Sequence, residues 1–312
     1  MRARAPLGVR LALVFGLLAF GLSSILVRWS NEVSPASGLV LMAWRTGFSG
    51  LLLLPALAVP GVRAQWRELS RRDVVLIVVG GAVLSLHFVT WIVSLYYTSV
   101  ASASVLVTSS PLFIAILGAV FLKERLSRKS VLAIAVAVAG GALIGWGDAA
   151  GGQFPQAMLG NALALGASVL VSVYMLIGRS VRQRVSFVAY LTPLYGVVAL
   201  FTVGVALGLD APLRQPSAVI GICFLMALGP SLLGHGSMNL ALRYFPASFL
   251  ALLGLAEPVL ASGIAAVLFG EVPSTKALVG MVVVLGAIAY EILNQRGAQA
   301  EDSAEAAATG SQ

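Results

Sequence analysis

Runs of about twenty apolar residues alternate along the chain with short polar stretches, and ten of them can cross about 30 Å of hydrocarbon. They cover approximately 10–28, 37–58, 73–95, 100–122, 130–147, 157–178, 187–208, 216–241, 247–269 and 275–294. The pattern predicts an all-α membrane protein with ten transmembrane helices. The first run follows Arg2, Arg4 and Arg10, as the core of a signal peptide would. Its 17 apolar or small residues from Leu11 to Val27 exceed an h-region of about 7–15, so it reads as a retained helix.

One stretch, Tyr97 to Lys129, is written a second time 147 residues later. Tyr97 maps onto Tyr244, Leu106 onto Leu253, Pro111 onto Pro258, Val120 onto Val267, Glu124 onto Glu271 and Lys129 onto Lys276. In each copy a proline interrupts the apolar run and a glutamate closes it thirteen residues later. A proline inside a membrane helix leaves the carbonyl four residues back, here Val107 or Gly254, without its usual donor. Such a group is tolerated only inside the protein or beside a water-filled cavity, so Pro111 and Pro258 predict helix kinks at the functional centre. Five helices per half is an odd number, which makes the second half enter the membrane from the opposite side. The chain therefore reads as two inverted five-helix repeats around a central cavity, suited to alternating access. The expected divisions are 1–147, 148–296 and a disordered cytoplasmic tail, 297–312, rich in Ala, Glu and Ser.

Composition narrows the class. The chain is 59% apolar and 10% charged, against about 25% charged in soluble domains. The net charge of +8 would suit nucleic acid, but the basic residues form short clusters between apolar runs without interleaved aromatics, so no nucleic-acid partner is expected. With the amino terminus inside, 16 of the 20 basic residues fall on the cytoplasmic side. Arg28, Arg214 and Lys276 fall outside and Arg45 lies within the second span. Both termini are then cytoplasmic. Cys223 stands alone, which excludes an intrachain disulfide or a cysteine metal site. No phosphate-binding loop occurs, so flux follows a gradient, and no cofactor or metal is expected.

The runs Leu95-Tyr96-Tyr97-Thr98-Ser99-Val100-Ala101-Ser102-Ala103 and Ser110-Pro111-Leu112-Phe113, ending Leu122-Lys123-Glu124-Arg125, resemble the first EamA domain of the drug/metabolite transporter superfamily. Ala241 to Ala247, Ala256-Glu257-Pro258-Val259 and Phe269-Gly270-Glu271 resemble the second. The resemblance covers about 10–294. It implies a ten-helix secondary carrier of a bacterial inner membrane that exports amino acids, aromatic or neutral ones first, or other small metabolites. Cationic drugs are the alternative cargo within the same fold. Ser110 stands where the second copy has Glu257, so the halves differ chemically at the centre.

Polar groups too deep to reach water are the candidate substrate-binding residues. Glu257 lies about ten residues into its span, roughly 15 Å deep by helical rise, and suits a substrate ammonium or a proton. Arg45 suits a carboxylate, or else snorkels and pairs with a carbonyl. His87 and Trp91, four residues apart, share a helix face with Thr90 nearby, offering a hydrogen bond and a cation-π wall. Asn239 sits four residues after His235, and Ser110 and Tyr174 are further candidates. Each has a structural alternative, a hydrogen bond within the bundle. Gly141-xxx-Gly145 and Gly204-xxx-Gly208 have the spacing for close helix packing, within one chain or between two, so monomer and homodimer both remain open. Gly47-Phe48-Ser49-Gly50 also matches the serine motif of intramembrane proteases, the one enzymatic alternative.

Overall fold

The computed structural model describes residues 6–121, 127–150, 154–241, 244 and 256–309, and every regular element among them is helical. Glu124, Leu253 and Gly254 lie outside the described residues. The elements are α1 (Leu7–Val33), α2 (Gly38–Leu53), α3 (Pro60–Arg67), α4 (Arg71–Ser94), α5 (Val100–Val107), α6 (Ser110–Phe121) and α7 (Arg128–Ala150). Next come α8 (Ala157–Arg182), α9 (Phe187–Gly208), α10 (Ser217–Met226), α11 (Gly236–Ala241), α12 (Ala256–Phe269) and α13 (Thr275–Thr309). Serines start several of them by accepting orphan backbone N–H groups. Ser37 caps Val40, Ser70 caps Asp73 and Ser99 caps Ser102, at 3.3, 3.1 and 3.1 Å.

Six stretches among the described residues are long and apolar enough to cross a membrane, and Val100–Ile114 and Glu257–Phe269 are shorter apolar helices. Their outward faces are apolar too; Leu200 is 77% and Val267 84% exposed. The chain is a multi-pass membrane protein whose lipid-facing surface takes the place of a polar one.

Two spans are interrupted beside prolines. The run 100–122 breaks next to Pro111, with α5 ending at Val107 and α6 starting at Ser110. Pro111 cannot donate to the Val107 carbonyl, and hydroxyls take over nearby: Thr108 Oγ1 donates to Ser104 O at 2.9 Å and Ser109 Oγ to Val105 O at 3.3 Å. The run 216–241 widens into a π-helix over Ala227–His235, with Pro230 inside it. α13 is one helix from Thr275 to Thr309.

Packing uses glycine at points the spacing rule did not select. A Cβ at Gly280 would lie 2.7 Å from the Gly140 carbonyl oxygen, so α7 and α13 cross in backbone contact there. On α4, Gly81 admits Val197 of α9 in the same way, at 2.8 Å. Gly204 and Gly208, by contrast, have nothing within 4 Å among the described residues, which corrects the expectation that this pair packs helices within the chain. All eight residues of α5 are buried. It packs against α8 and α12, so a segment of the first half sits within the second.

Its two ends are tied differently. At the end expected to face outside, Arg28 Nε lies 2.7 Å from Glu271 Oε1. The second oxygen of Glu271 accepts from Val100 N at 2.9 Å, capping α5 from across the molecule. Gly270, at φ +65°, lets α12 end and turn that carboxylate inward. At the opposite end Arg184 donates to Asp73 at 2.6 Å.

Candidate functional site

Arg45, on α2, does not snorkel; it is 1% exposed in the centre of the bundle. Its Nε donates to Ser231 Oγ at 2.7 Å and its Nη1 to Ser23 Oγ at 3.4 Å. Its guanidinium carbon stands 4.6 Å from the centre of the Phe88 ring. Ser231 is placed by the π-helix, and its carbonyl accepts from Tyr195 at 2.9 Å. No carboxylate among the described residues pairs with Arg45, since the ion pairs there are Arg28–Glu271 and Arg184–Asp73. A buried cation held only by hydroxyls and an aromatic face retains its attraction for an anion.

Phe88 continues the cluster. The His235 ring meets it edge to face at 5.1 Å, meets Phe20 at 4.8 Å and stands 6.3 Å from the His87 ring. His87 Nδ1 lies 2.7 Å from the Ala167 carbonyl, which makes Nδ1 the protonated nitrogen by hydrogen-bond logic and leaves Nε2 as acceptor. The His235 carbonyl accepts from Asn239 Nδ2 at 2.8 Å, and the same amide donates to Tyr174 Oη at 2.9 Å. Five residues singled out in the sequence, Arg45, His87, His235, Asn239 and Tyr174, thus form one connected cluster spanning α2, α4, the π-helix, α11 and α8.

Other candidates stand apart from it. Thr90 is bonded within its own helix, to Leu86 O at 2.8 Å and His87 O at 3.1 Å. Ser110 contributes its carbonyl to Ser172, at 3.0 Å. Glu257 is half-buried in the first turn of α12, and no cation among the described residues pairs with it. Pro111 and Pro258 are buried. Ser49 donates to the Arg45 carbonyl of its own helix at 2.9 Å and is bonded to no histidine among the described residues, so it lacks the partner a nucleophile needs.

Several buried polar atoms have no hydrogen-bond partner among the described residues: Trp91 Nε1, Ser24 Oγ, Ser104 Oγ and Ser168 Oγ. Their helices, α4, α1, α5 and α8, all meet at α5, which packs against the other three. An unmet buried donor or acceptor costs about 1–3 kcal/mol, so each is a standing capacity for a hydrogen bond to something else. Sequence reasoning missed Ser23, Phe88, Ser231 and the π-helix. Gly229-Pro230-Ser231 inside an apolar run was the available signal, since such widened turns gather at functional sites. Among the described residues no three His, Cys, Asp or Glu side chains gather as a metal site.

A multi-pass helical bundle with a polar, partly unsatisfied centre defines the class, a membrane protein built around an internal site. The chain belongs to the EamA-like transporter family, whose sequence model matches residues 7–146 and again 158–291. It is 27% identical over 197 residues to the uncharacterized transporter YdfC of Bacillus subtilis, covering 62% of this chain and 63% of that one. It is 30% identical to the pseudopaline exporter CntI of Pseudomonas aeruginosa over 44% of this chain and 45% of that one. It is also 30% identical to the riboflavin transporter of Rhizobium johnstonii over 64% and 65%. Each match spans less than two thirds of the relative's length. One solved crystal structure of a protein aligns with 94% of this chain and 99% of its own at a TM-score of 0.64 and 19% identity, so it shares the fold.

Proposed function

We propose that the chain is a secondary transporter of a bacterial inner membrane that exports small zwitterionic metabolites, aromatic and neutral amino acids first. In this reading ten helices form two inverted repeats, 1–147 and 148–296, that alternate around the cluster at Arg45, with both termini cytoplasmic. Arg45 receives the substrate carboxylate and Glu257 its ammonium. Trp91, His87, Asn239 and Tyr174 line the route between them. The observation that carries the reading is Arg45 itself, buried, oriented by Ser231 and Phe88 and without a described counter-ion. The unpartnered Trp91 Nε1 supports it, as a donor beside an aromatic face.

Relatives named as exporters or transporters of pseudopaline and riboflavin support small-molecule transport and leave cargo to the site's chemistry. A second reading, export of cationic drugs, rests on Glu257, a half-buried carboxylate with no described cation. The two separate in one assay. The purified chain in liposomes is challenged with labelled amino acids and with a lipophilic cation. Saturable counterflow of amino acids, lost in Arg45→Met, supports the first reading. Flux of the cation alone, lost in Glu257→Gln but not in Arg45→Met, replaces it with the second.

A further inference from the structure

Between α2, α3 and α9 the outward surface opens into a groove of about 730 Å³, within the range of about 300–1,000 Å³ typical of small-molecule sites. Gly50 of α2 and Gly196 and Gly204 of α9 line it, and a Cβ at either α9 position would meet nothing within 4 Å. Leu54, Leu57 and Leu200 form the walls, and Leu200 is 77% exposed. Most of the trough is apolar, and it opens where a membrane protein meets hydrocarbon.

One end of the groove is not apolar. There α3, a short helix with Arg63, Trp66 and Arg67 on neighbouring turns, closes it, and Trp66 is one of its lining residues. Arg63 Nε donates to the Leu57 carbonyl, which fixes this guanidinium at the rim. Arg63, Arg67, Arg71 and Arg72 are all exposed, and among the described residues none of them forms an ion pair. A short helix with basic residues and a tryptophan at the end of an apolar trough has the layout of an interfacial lipid contact.

We infer that this groove holds an acyl chain of an anionic phospholipid, whose phosphate is received by Arg63 and Arg67. Charge selects this occupant. A zwitterionic lipid fills the trough equally well, but its headgroup ammonium offsets the attraction of its phosphate for the arginines. A second copy of the chain fits worse: a two-fold axis along the membrane normal brings the two arginine clusters to the same depth, like charge against like.

The test is native mass spectrometry of the full chain released from mixed micelles of phosphatidylglycerol and phosphatidylcholine with identical acyl chains. The wild type is expected to retain phosphatidylglycerol preferentially. Arg63→Ala/Arg67→Ala lowers that retention about 30-fold, as expected for two basic residues near an anionic surface, and lowers retention of phosphatidylcholine far less, which removes the preference. Gly196→Phe/Gly204→Phe fills the trough and lowers retention of both lipids. Equal retention of the two lipids by the wild type, or retention unaltered in the arginine variant, overturns the inference. So does a Leu200→Cys disulfide dimer formed in membranes on a Cys223→Ser background, which assigns the groove to a second copy. Circular dichroism and size exclusion check folding, and if the glycine variant fails them the exposed arginines decide the matter.

Discussion

Trp66 donates its indole N–H to the carbonyl oxygen of Ala189 at 2.8 Å, four residues before Pro193 in α9. Pro193 has no N–H to offer that carbonyl, and a side chain from α3 supplies the missing donor. Trp66→Phe is expected to lower stability by about 1–2 kcal/mol, the cost of one unmet backbone acceptor. In a Pro193→Ala background the same change costs little, because the helix then satisfies itself. Thermal unfolding of the four proteins in one detergent measures the coupling, and additive losses would refute this account of the bond.

Glu271 acts on two partners at once, Arg28 at 2.7 Å and the amide of Val100 at 2.9 Å. Glu271→Gln keeps an oxygen for the amide and loses the charge pair. Glu271→Ala loses both and leaves Arg28 uncompensated, so it is expected to cost about 3 kcal/mol, the scale of breaking a buried pair from one side. The ranking wild type, Gln, Ala in melting temperature is the outcome to check; equal effects of Gln and Ala would remove the capping role.

Two glycines in different surroundings give opposite expectations. Gly280→Ala drives a methyl to 2.7 Å from the Gly140 carbonyl oxygen and is expected to cost about 1–3 kcal/mol. Gly204→Ala meets nothing within 4 Å and is expected to be neutral or to stabilise by up to about 1 kcal/mol through helix propensity. Melting temperatures of the two variants decide it, and a destabilised Gly204→Ala would show that this face is packed after all.

Arg45→Lys keeps the positive charge but loses the planar fork aimed at Ser231 and Ser23. Amino-acid counterflow is expected to fall about 10-fold or more, the equivalent of one charge-assisted bond, while a cation carried by the same chain is unaffected. Initial rates at several concentrations separate binding from turnover. Full activity in the lysine variant would assign Arg45 to structure alone.

Much of this architecture was legible in the chain. Spans such as 187–208 coincide with helices because a continuous apolar run leaves few other solutions in a membrane. What proline does locally was not legible. Pro111 follows a break in its span, Pro230 lies within a π-helix, and Pro193 stays inside a continuous helix where Trp66 supplies the missing donor. The site was half legible for a related reason. Arg45, His87, Asn239 and Tyr174 declared themselves as polar residues in apolar runs, whereas Phe88 and Phe20 look like any core aromatics until their rings are seen around His235. Thr90 looked equivalent to them, and only its bonds to its own helix set it apart.

The eight-residue α5 is about 12 Å long by helical rise, well short of the bilayer, and offers no lipid-facing side. It cannot reside in a membrane by itself. Its place exists only once α8 and α12 have arrived and Glu271 has reached its first amide. The amino-terminal half therefore waits, during synthesis, for partners made after it, and a gene cut between the repeats is expected to yield two fragments that mature only when expressed together.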